Sequence, residues 1–217
     1  LHFNNAGAGL LSRAVIETLT EHLRLESLTG SYEAQAAKAD ALQNVYASFS
    51  ALLNCRADEI ALTDGSTQAW HRAFHAVPLE RGDRVLTASN EYNSNWLSLR
   101  RTCDRIGCSL EVVPNDVHGQ LDVRALTNML DDRVKLVAIT HIATSNGMVN
   151  PVEAVGAALR GSNAIYLLDA CQSVGQMPMD VERIGCDLLT GAGRKFLRGP
   201  RGTGFMYVRR SVLDRIE

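Results

Sequence analysis

The most reactive candidate group in the sequence is the amine of Lys195, which lies in a basic, glycine-rich loop. The run Asp187–Thr190 predicts a buried strand, and Gly191-Ala192-Gly193-Arg194-Lys195 follows it, with Arg198 and Arg201 close behind. Clustered positive charge lowers the pKa of a lysine, and a neutral amine can form a Schiff base with a carbonyl compound. We therefore predict Schiff-base chemistry at Lys195. A basic surface loop, or a phosphate-binding loop without catalysis, is the alternative.

A dinucleotide-binding loop is a further interpretation of the same glycines, because Gly191-Ala192-Gly193 could begin a GxGxxG motif. Phe196 occupies the position of the third glycine, and the next carboxylate, Asp214, lies beyond another predicted strand. The motif requires the third glycine and an acidic residue about 20 positions later. We therefore exclude this interpretation.

A carboxylate, Asp169, follows the apolar run 164–168, which predicts a buried strand. An unpaired carboxylate is costly there, so we expect a partner. The partner could be a cationic ligand group such as a protonated pyridine nitrogen. A turn or a helix cap is the ordinary alternative for a single aspartate.

Two other polar segments also follow predicted strands. Gly65-Ser66-Thr67 lies between a strand at 59–63 and a helix, where free N–H groups, two hydroxyls and the helix dipole suit a phosphate. Taken alone, helix capping explains this segment better. Tyr92 follows a strand at 84–88 and could cover the face of a flat heterocycle, with a packing tyrosine as the alternative.

Composition and charge narrow the class of partner. The formal net charge is −2 and no block of like charges occurs, so we expect a small-molecule partner and neither nucleic acid nor membrane. The five cysteines lack CxxC spacing, which argues against disulfides and zinc and favours the reducing cytoplasm. His71 and His75 have the spacing of a metal pair, but Arg72 replaces the glutamate of a zinc protease and no third ligand is evident. We predict no metal site.

Strand and helix patterns alternate along the chain, which predicts an α/β domain with a mostly parallel sheet. Ligands of such sheets bind beyond the carboxyl ends of the strands, where the polar segments lie. The predicted strands are 59–63, 84–88, 109–113, 134–140, 164–168, 187–190 and 204–208. The predicted helices open near Ser12 and span 34–53, 94–106, 123–130 and 152–159, with another after 65–67 and one beginning at Ser211.

The order of these motifs resembles the class V aminotransferase family, which holds pyridoxal-phosphate enzymes of the aspartate aminotransferase fold (fold type I). Cysteine desulfurases, isopenicillin N epimerases and C–S lyases of ergothioneine synthesis are members. The likeness runs from Asn4-Asn5-Ala6-Gly7 to Gly202-Thr203-Gly204-Phe205. It implies an N-terminal segment at 1–30 that lines the active site and a cofactor-binding large domain at 31–217. We expect that large domain to be incomplete, with the small C-terminal domain outside this chain.

The resemblance also implies a role for each matching residue. Lys195 would carry pyridoxal 5'-phosphate and act as general acid and base, Asp169 would pair with the pyridine N–H, and Tyr92 would stack on the ring. Gln172 would bind the phenolic oxygen, with Thr144 or Asn146 nearby. The implied cofactor-binding set is Gly65, Ser66, Thr67, Tyr92, Thr144, Asn146, Asp169, Gln172, Arg194, Lys195 and Thr203. Asn5 and Ala6 would line the substrate pocket, and Thr203 would reach the phosphate of a partner subunit.

The implied reaction begins with an external aldimine of an amino acid and a carbanion at its Cα. We expect a C–S lyase, with an aminotransferase or an epimerase as the alternative. A non-catalytic pyridoxal-phosphate domain would have lost Lys195 or Asp169, and both are present. Arg194 replaces the histidine that precedes the lysine in desulfurases, and three residues instead of two separate Lys195 from Gly-Pro. These departures favour the epimerase and C–S lyase relatives. The resemblance also implies a cytoplasmic homodimer with shared active sites.

Overall fold

Seven strands form one sheet in the computed structural model, which describes residues 1–217. The strands are β1 (Ile60–Thr63), β2 (Arg84–Thr87), β3 (Ser109–Val112), β4 (Val134–Thr140), β5 (Ile165–Asp169), β6 (Leu188–Ala192) and β7 (Gly204–Val208). They lie in the order β1-β7-β6-β5-β4-β2-β3. Five neighbouring strands run parallel, namely β6, β5, β4, β2 and β3. Strand β7 is antiparallel to both β6 and β1. The predicted α/β fold with a mostly parallel sheet is confirmed.

Eight helices accompany the sheet: α1 (Arg13–Thr29), α2 (Ser31–Ala37), α3 (Ala39–Leu53), α4 (Ser66–His75), α5 (Asn93–Ile106), α6 (Val123–Met129), α7 (Val152–Ala158) and α8 (Val181–Ile184). Short 3-10 helices occupy Ala57–Glu59 and Arg210–Arg215, so the helix expected from Ser211 is a 3-10 turn. Ser12 and Asp122 cap the N-termini of α1 and α6, since Ser12 accepts a hydrogen bond from the Val15 N–H and Asp122 accepts one from the Arg124 N–H.

Two helical predictions need correction. The single helix predicted at 34–53 is divided at Lys38, whose N–H donates to the Gln35 carbonyl three residues back, so the helix tightens and restarts at Ala39. Helix α8 was not predicted, because four residues are too few to show a helical period. Asp180 caps it by accepting from the N–H groups of Glu182 and Arg183.

The core lies on both faces of the sheet, which explains why the central strands are mostly apolar. Along β4, Val137 and Ile139 pack into one cluster of buried side chains, while Leu136 and Ala138 pack into the other. Trp70, Ala73 and Phe74 form an apolar stripe on α4 that is buried in the second cluster. Alternate residues of a strand point to opposite faces, so a sheet covered on both sides buries every residue of its central strands.

Helix α1 contributes no buried residue to this core. Its apolar face is exposed, with Ile16, Leu19 and Leu23 at 51%, 38% and 64% of their full accessibility. No helix of the chain is both long enough and apolar enough to cross a membrane.

Candidate active site

A polar pocket lies at the carboxyl ends of β4, β5 and β6, where the start of α4 and the first turn of α5 also converge. Residues that the sequence singled out form most of its wall, and three others complete it. The predicted members are Ser66, Thr67, Tyr92, Thr144, Asp169, Gln172, Arg194 and Lys195, and the additional ones are Asn95, Thr140 and Cys171. The sheet therefore brings together segments that are more than 100 residues apart in sequence.

Lys195 is buried in this pocket although its amine has no ionic partner. The residue is 6% exposed, and Nζ lies 5.7 Å from the centroid of the Tyr92 ring. Lys195 takes part in none of the ion pairs of the structure. Burial of a charged group without a partner is costly. The site therefore keeps an amine available at a position that a purely structural lysine would not occupy.

The loop that carries Lys195 is shaped by glycine. Gly193 follows the end of β6, and a Cβ on it would lie 2.2 Å from Thr203 Oγ1. The Gly193 carbonyl also accepts a hydrogen bond from the Gly199 N–H at 2.8 Å, which closes the loop. Only glycine allows the two sides of the loop to approach this closely, so the glycines following β6 position the lysine.

Asp169, the last residue of β5, has both carboxylate oxygens fixed by hydrogen bonds. Oδ1 accepts from the Cys171 N–H at 2.9 Å, and Oδ2 accepts from Asn95 Nδ2 at 2.9 Å. The residue is 6% exposed and forms no ion pair with Lys195. An oriented anion and an unpaired amine thus line the same pocket, as expected when a ligand lies between them.

Gln172 connects this pocket with the N-terminal segment. Its Nε2 donates to Thr144 Oγ1 at 2.9 Å and to the Ala6 carbonyl at 3.1 Å. Its Oε1 is buried and has no hydrogen-bond partner. Buried polar atoms are nearly always paired, so an unpaired one in a pocket indicates a place for a ligand group.

One end of the pocket is suited to an anion. Helix α4 begins at Ser66, and no side chain caps its N-terminus, so the hydroxyls of Ser66 and Thr67 are not used as caps. The Arg194 side chain lines the same pocket and donates from Nε to the Gly7 carbonyl at 3.2 Å. Free helix N–H groups, two hydroxyls and a guanidinium are the usual ligands of a phosphate.

The turn before α4 is packed tightly against the sheet. A Cβ on Gly204, the first residue of β7, would lie 2.4 Å from the carbonyl carbon of Gly65. Gly65 therefore holds the start of α4 through its backbone and does not contribute a side chain to the pocket wall.

Sequence reasoning missed a polar cluster next to Asp169, which consists of the half-buried Glu91 and the buried Asn95 and Thr140, the last two of which line the pocket. Asn95 is 1% exposed and donates from Nδ2 to Glu91 Oε1 at 2.9 Å, and the Thr140 hydroxyl also donates to Glu91. Burial, followed by the nearby charge of Asp169, raises the pKa of Glu91 to about 7. Glu91 and Asn95 belong to the polar run 89–96 and are four residues apart, which was the available signal.

Cys171 lines the pocket as a neutral thiol. Burial and the Asp169 charge raise its pKa well above the usual range. A thiolate is the nucleophilic form of cysteine. Cys171 is therefore a packing residue in this arrangement.

Besides Gly65, four predicted residues lie outside the wall of the pocket: Asn5, Ala6, Asn146 and Thr203. Asn146 is exposed and accepts from the Met148 N–H within its own turn, and Thr203 is exposed and donates to the Pro200 carbonyl. Ala6 lines a neighbouring cavity of about 410 Å³ that shares Thr144 and Gln172 with the pocket. Asn5 lines neither space.

Fold and site together define a class of protein, an α/β domain suited to a small anionic ligand at the carboxyl ends of its sheet, beside a buried amine. The chain belongs to the class V aminotransferase family, because the model of that family, Aminotransferase class-V, matches residues 1–217. The predicted resemblance is confirmed.

Similar proteins are named cysteine desulfurases. A probable cysteine desulfurase of Methanothermobacter thermautotrophicus is 31% identical over 206 residues, which cover 94% of this chain and 51% of the relative. A probable cysteine desulfurase of Pyrococcus abyssi is 30% identical over 227 residues, which cover 100% of this chain and 55% of the relative. The chain thus spans about half the length of these relatives.

Solved structures show the same fold. The apo structure of a cysteine desulfurase from Thermococcus onnurineus NA1 has a TM-score of 0.89 at 25% identity. The match covers 99% of this chain and 55% of the desulfurase chain. A complex of the cystine C–S lyase C-DES with its reaction product, cysteine persulfide, has a TM-score of 0.91 at 23% identity, with 100% of this chain and 59% of that chain covered. At this identity the second likeness supports the fold alone.

Proposed function

We propose that this chain is the cofactor-binding domain of a pyridoxal-phosphate enzyme that acts at the Cα of an amino acid and cleaves a C–S bond. One observation carries the proposal: the buried amine of Lys195 and the oriented carboxylate of Asp169 line one pocket without pairing with each other. A domain that only bound phosphate would need neither group.

The residues fit pyridoxal phosphate on the evidence of the structure itself. The phosphate would bind at the start of α4, between the Ser66 and Thr67 hydroxyls and Arg194. Gln172, whose buried Oε1 has no partner, offers a polar amide to the ring substituents, and Asp169 offers a carboxylate to the ring nitrogen. Tyr92 would cover the cofactor ring, since Lys195 Nζ lies over the phenol ring of Tyr92, 5.7 Å from its centroid.

The bound cofactor supplies an electron sink for the electron pair that remains at Cα after a bond to it has broken. Asp169 would hold the ring nitrogen of that cofactor and favour its protonated form, because a carboxylate stabilises an adjacent positive charge. Lys195 is the only amine in the pocket, so its Nζ takes the proton from Cα and returns it later. Tyr92 and the Gln172–Thr144 pair orient the ligand and exclude water from one side.

Cleavage of a C–S bond is supported by the family and by the curated relatives, which are named cysteine desulfurases. The departures at Arg194 and after Lys195 favour the epimerase and C–S lyase relatives within that family. The cavity beside the pocket is lined mostly by apolar residues and contains no charged side chain, which suits an uncharged sulfur-bearing substituent. The substrate class in our proposal is therefore a cysteine derivative.

Three further parts of the proposal concern the whole protein. Residues 1–30 serve as a segment that borders the site, supported by the Gln172–Ala6 hydrogen bond, and residues 31–217 form the cofactor-binding domain. The protein is a homodimer in which Thr203 reaches the phosphate of the partner subunit, supported by its exposed position beside Gly193. A cytoplasmic location is supported by the five cysteines, which are all free.

Covalent attachment of the cofactor tests the proposal directly. We expect the full-length protein to take up pyridoxal phosphate with a visible absorbance band, and borohydride followed by peptide mass spectrometry to fix the cofactor on Lys195. Lys195→Ala should lose the attachment, whereas the surface variant Lys38→Ala should retain it. A wild-type protein that stays colourless with added cofactor would refute the proposal.

The reaction is tested with cysteine conjugates as substrates. Cleavage of the C–S bond by elimination should release pyruvate and a thiol in wild-type protein and in Lys38→Ala, and not in Lys195→Ala. Keto-acid exchange with glutamate in place of pyruvate release would replace the lyase assignment by an aminotransferase.

A further inference from the structure

Glu91 is the one acidic side chain that is linked through a single residue to the site carboxylate. It lies between β2 and α5, and Asn95 Nδ2 donates one hydrogen bond to Glu91 Oε1 and another to Asp169 Oδ2, both at 2.9 Å. An amide nitrogen has two protons, so both are used, and the Asn95 amide is fixed between two carboxyl groups.

Only neutral donors surround the Glu91 carboxyl group. Oε1 also accepts from the Tyr92 N–H at 2.9 Å and from the Thr140 hydroxyl on β4, and Oε2 accepts from the Thr87 hydroxyl on β2 at 3.3 Å. Glu91 forms no ion pair. Glu91 is half-buried, and a carboxyl group that is withdrawn from water without a cation is costly to retain for packing alone.

We propose that Glu91 is a positioning residue that fixes the Asp169 carboxylate through Asn95 and places a second negative charge behind it. The same carboxyl group accepts from the N–H of Tyr92, so it also orients the residue proposed to cover the ring. The role rests on the proposed function for the identity of the group that Asp169 meets. The Glu91–Asn95–Asp169 link itself is a property of the chain.

The electrostatics of the surroundings support this role. Asp169 on β5 is the charged group that acts on Glu91, while the Lys195 amine lies over the Tyr92 ring, with Nζ 5.7 Å from its centroid. Cys171, next to Asp169, is a neutral thiol because its pKa is raised by burial. Burial and the Asp169 charge raise the pKa of Glu91 to about 7, so its charge changes close to neutral pH.

The first experiment uses protein without cofactor and measures the unfolding midpoint against pH. A carboxyl group whose pKa is higher in the folded than in the unfolded state contributes stability at any pH below the unfolded-state pKa. This contribution is lost as the pH rises through the folded-state pKa. For Glu91 this pH window lies between the ordinary glutamate pKa of 4.5 and the raised pKa of about 7. Relative to wild type, Glu91→Gln should therefore gain in midpoint as the pH rises through this window. Exposed Glu153→Gln, the matched control, should follow wild type.

The same measurement in an Asp169→Asn background tests the coupling of the two carboxyl groups. The pH-dependent gain from Glu91→Gln should shrink there, because the charge that repels Glu91 is gone. A Glu91→Gln curve parallel to wild type, or a gain that is unchanged in Asp169→Asn, would overturn the proposal.

The second experiment follows the cofactor spectrum against pH in loaded protein. Loss of a negative charge behind Asp169 disfavours the protonated form of the site, so Glu91→Gln should shift the titration of the absorbance band to lower pH by about one unit. Asn95→Ala keeps the charge and breaks the link, so it should weaken cofactor retention with a smaller shift. A purely structural Glu91 would leave the titration of a folded, loaded Glu91→Gln protein unchanged, which would also overturn the proposal.

The two experiments separate this inference from the proposed function. If wild-type protein takes up no cofactor, the proposed function fails, while the curves of the cofactor-free protein still decide whether Glu91 and Asp169 are coupled. If cofactor binds and neither curve responds to Glu91→Gln, the proposed function stands and this inference fails.

Discussion

The backbone N–H of Gly9 donates to the carbonyl oxygen of Arg194 at 2.8 Å, which places the N-terminal segment directly on the lysine loop. Arg198 Nε donates to the Leu10 carbonyl at 2.7 Å and Arg194 Nε to the Gly7 carbonyl at 3.2 Å. Three hydrogen bonds therefore join segments that lie more than 180 residues apart in sequence. The conformation of the loop that carries Lys195 depends on this contact.

Gly9→Ala should displace the lysine loop, because a Cβ at this position would lie 2.4 Å from the Lys195 carbonyl oxygen. The obstacle is backbone and cannot rotate away, so we expect a loss of about 1–3 kcal/mol in the free energy of unfolding and weaker cofactor attachment. Urea denaturation and the absorbance of bound cofactor measure the two effects. Gly7→Ala is the control, since its Cβ would meet only the exposed Asn4 side chain. Equal behaviour of the two variants would contradict the prediction.

His141 should make the stability of the protein sensitive to acid. Burial lowers the pKa of its imidazole to about 4, and its Nδ1 has no hydrogen-bond partner. The unfolded chain takes up a proton near pH 6.5 and the folded one does not, so stability is present above about 6.5 and lost as the pH falls towards 4. The loss attributable to this group is about 3 kcal/mol.

The measurement for His141 is the difference in unfolding free energy between wild type and His141→Gln from pH 7 to pH 4. Glu91 contributes the opposite slope in an overlapping range, and taking the difference removes it. The variant should lose less stability on acidification than wild type. His118→Gln, at an exposed position, should lose as much unfolding free energy on acidification as wild type does. An equal loss in His141→Gln would disprove the assignment.

Arg84 should stabilise the far edge of the sheet without affecting the site. Its guanidinium lies 2.5 Å from Glu111 on β3 and 3.1 Å from Asp131, and it donates to the Met129 carbonyl at 2.7 Å. The hydrogen bond from the Arg84 guanidinium lowers the pKa of Glu111 below its usual value. We expect Arg84→Met to cost about 2 kcal/mol of unfolding free energy, since charge-assisted hydrogen bonds to a partly buried group are lost.

The control for Arg84 is Arg100→Met, which removes an exposed pair with Asp104. Such surface pairs contribute about 0–1 kcal/mol. Urea denaturation should therefore separate the two variants, and both should attach cofactor as wild type does. A loss of attachment in Arg84→Met alone would show that the sheet edge acts on the site.

The sequence was most informative about the site where a polar or charged residue follows the end of a predicted strand. Asp169 and Lys195 were predicted because a carboxylate and an amine follow apolar runs at the place where parallel sheets bind ligands, and Gln172 was added through the family resemblance. The N-cap roles of Ser12 and Asp122 depend on neighbours within three residues, and both are present. These features are local, so a single sequence reveals them.

The rest depends on contacts that a single sequence does not display. Glu91 meets Thr140 across 49 residues and Asn95 meets Asp169 across 74, so their shared hydrogen bonds exist only once β2, β4 and β5 are side by side. The antiparallel position of β7 between β1 and β6 likewise follows from sheet assembly, since its apolar run does not encode direction. Gly9 gave no signal, because its partner is a backbone carbonyl far along the chain.

Arg194 should be the residue that distinguishes phosphorylated from unphosphorylated ligand. It lines the pocket beside Ser66 and Thr67, and only its Nε is used by the N-terminal segment. Arg194→Ala should weaken pyridoxal phosphate binding about 10–100-fold, because a charge-assisted hydrogen bond contributes about 1.5–3 kcal/mol. Binding of pyridoxal, which lacks the phosphate, should change little. Arg198→Ala loses a similar contact to the N-terminal segment outside the pocket wall and is the matched control. Equal weakening of both ligands by Arg194→Ala would assign the arginine to loop structure alone.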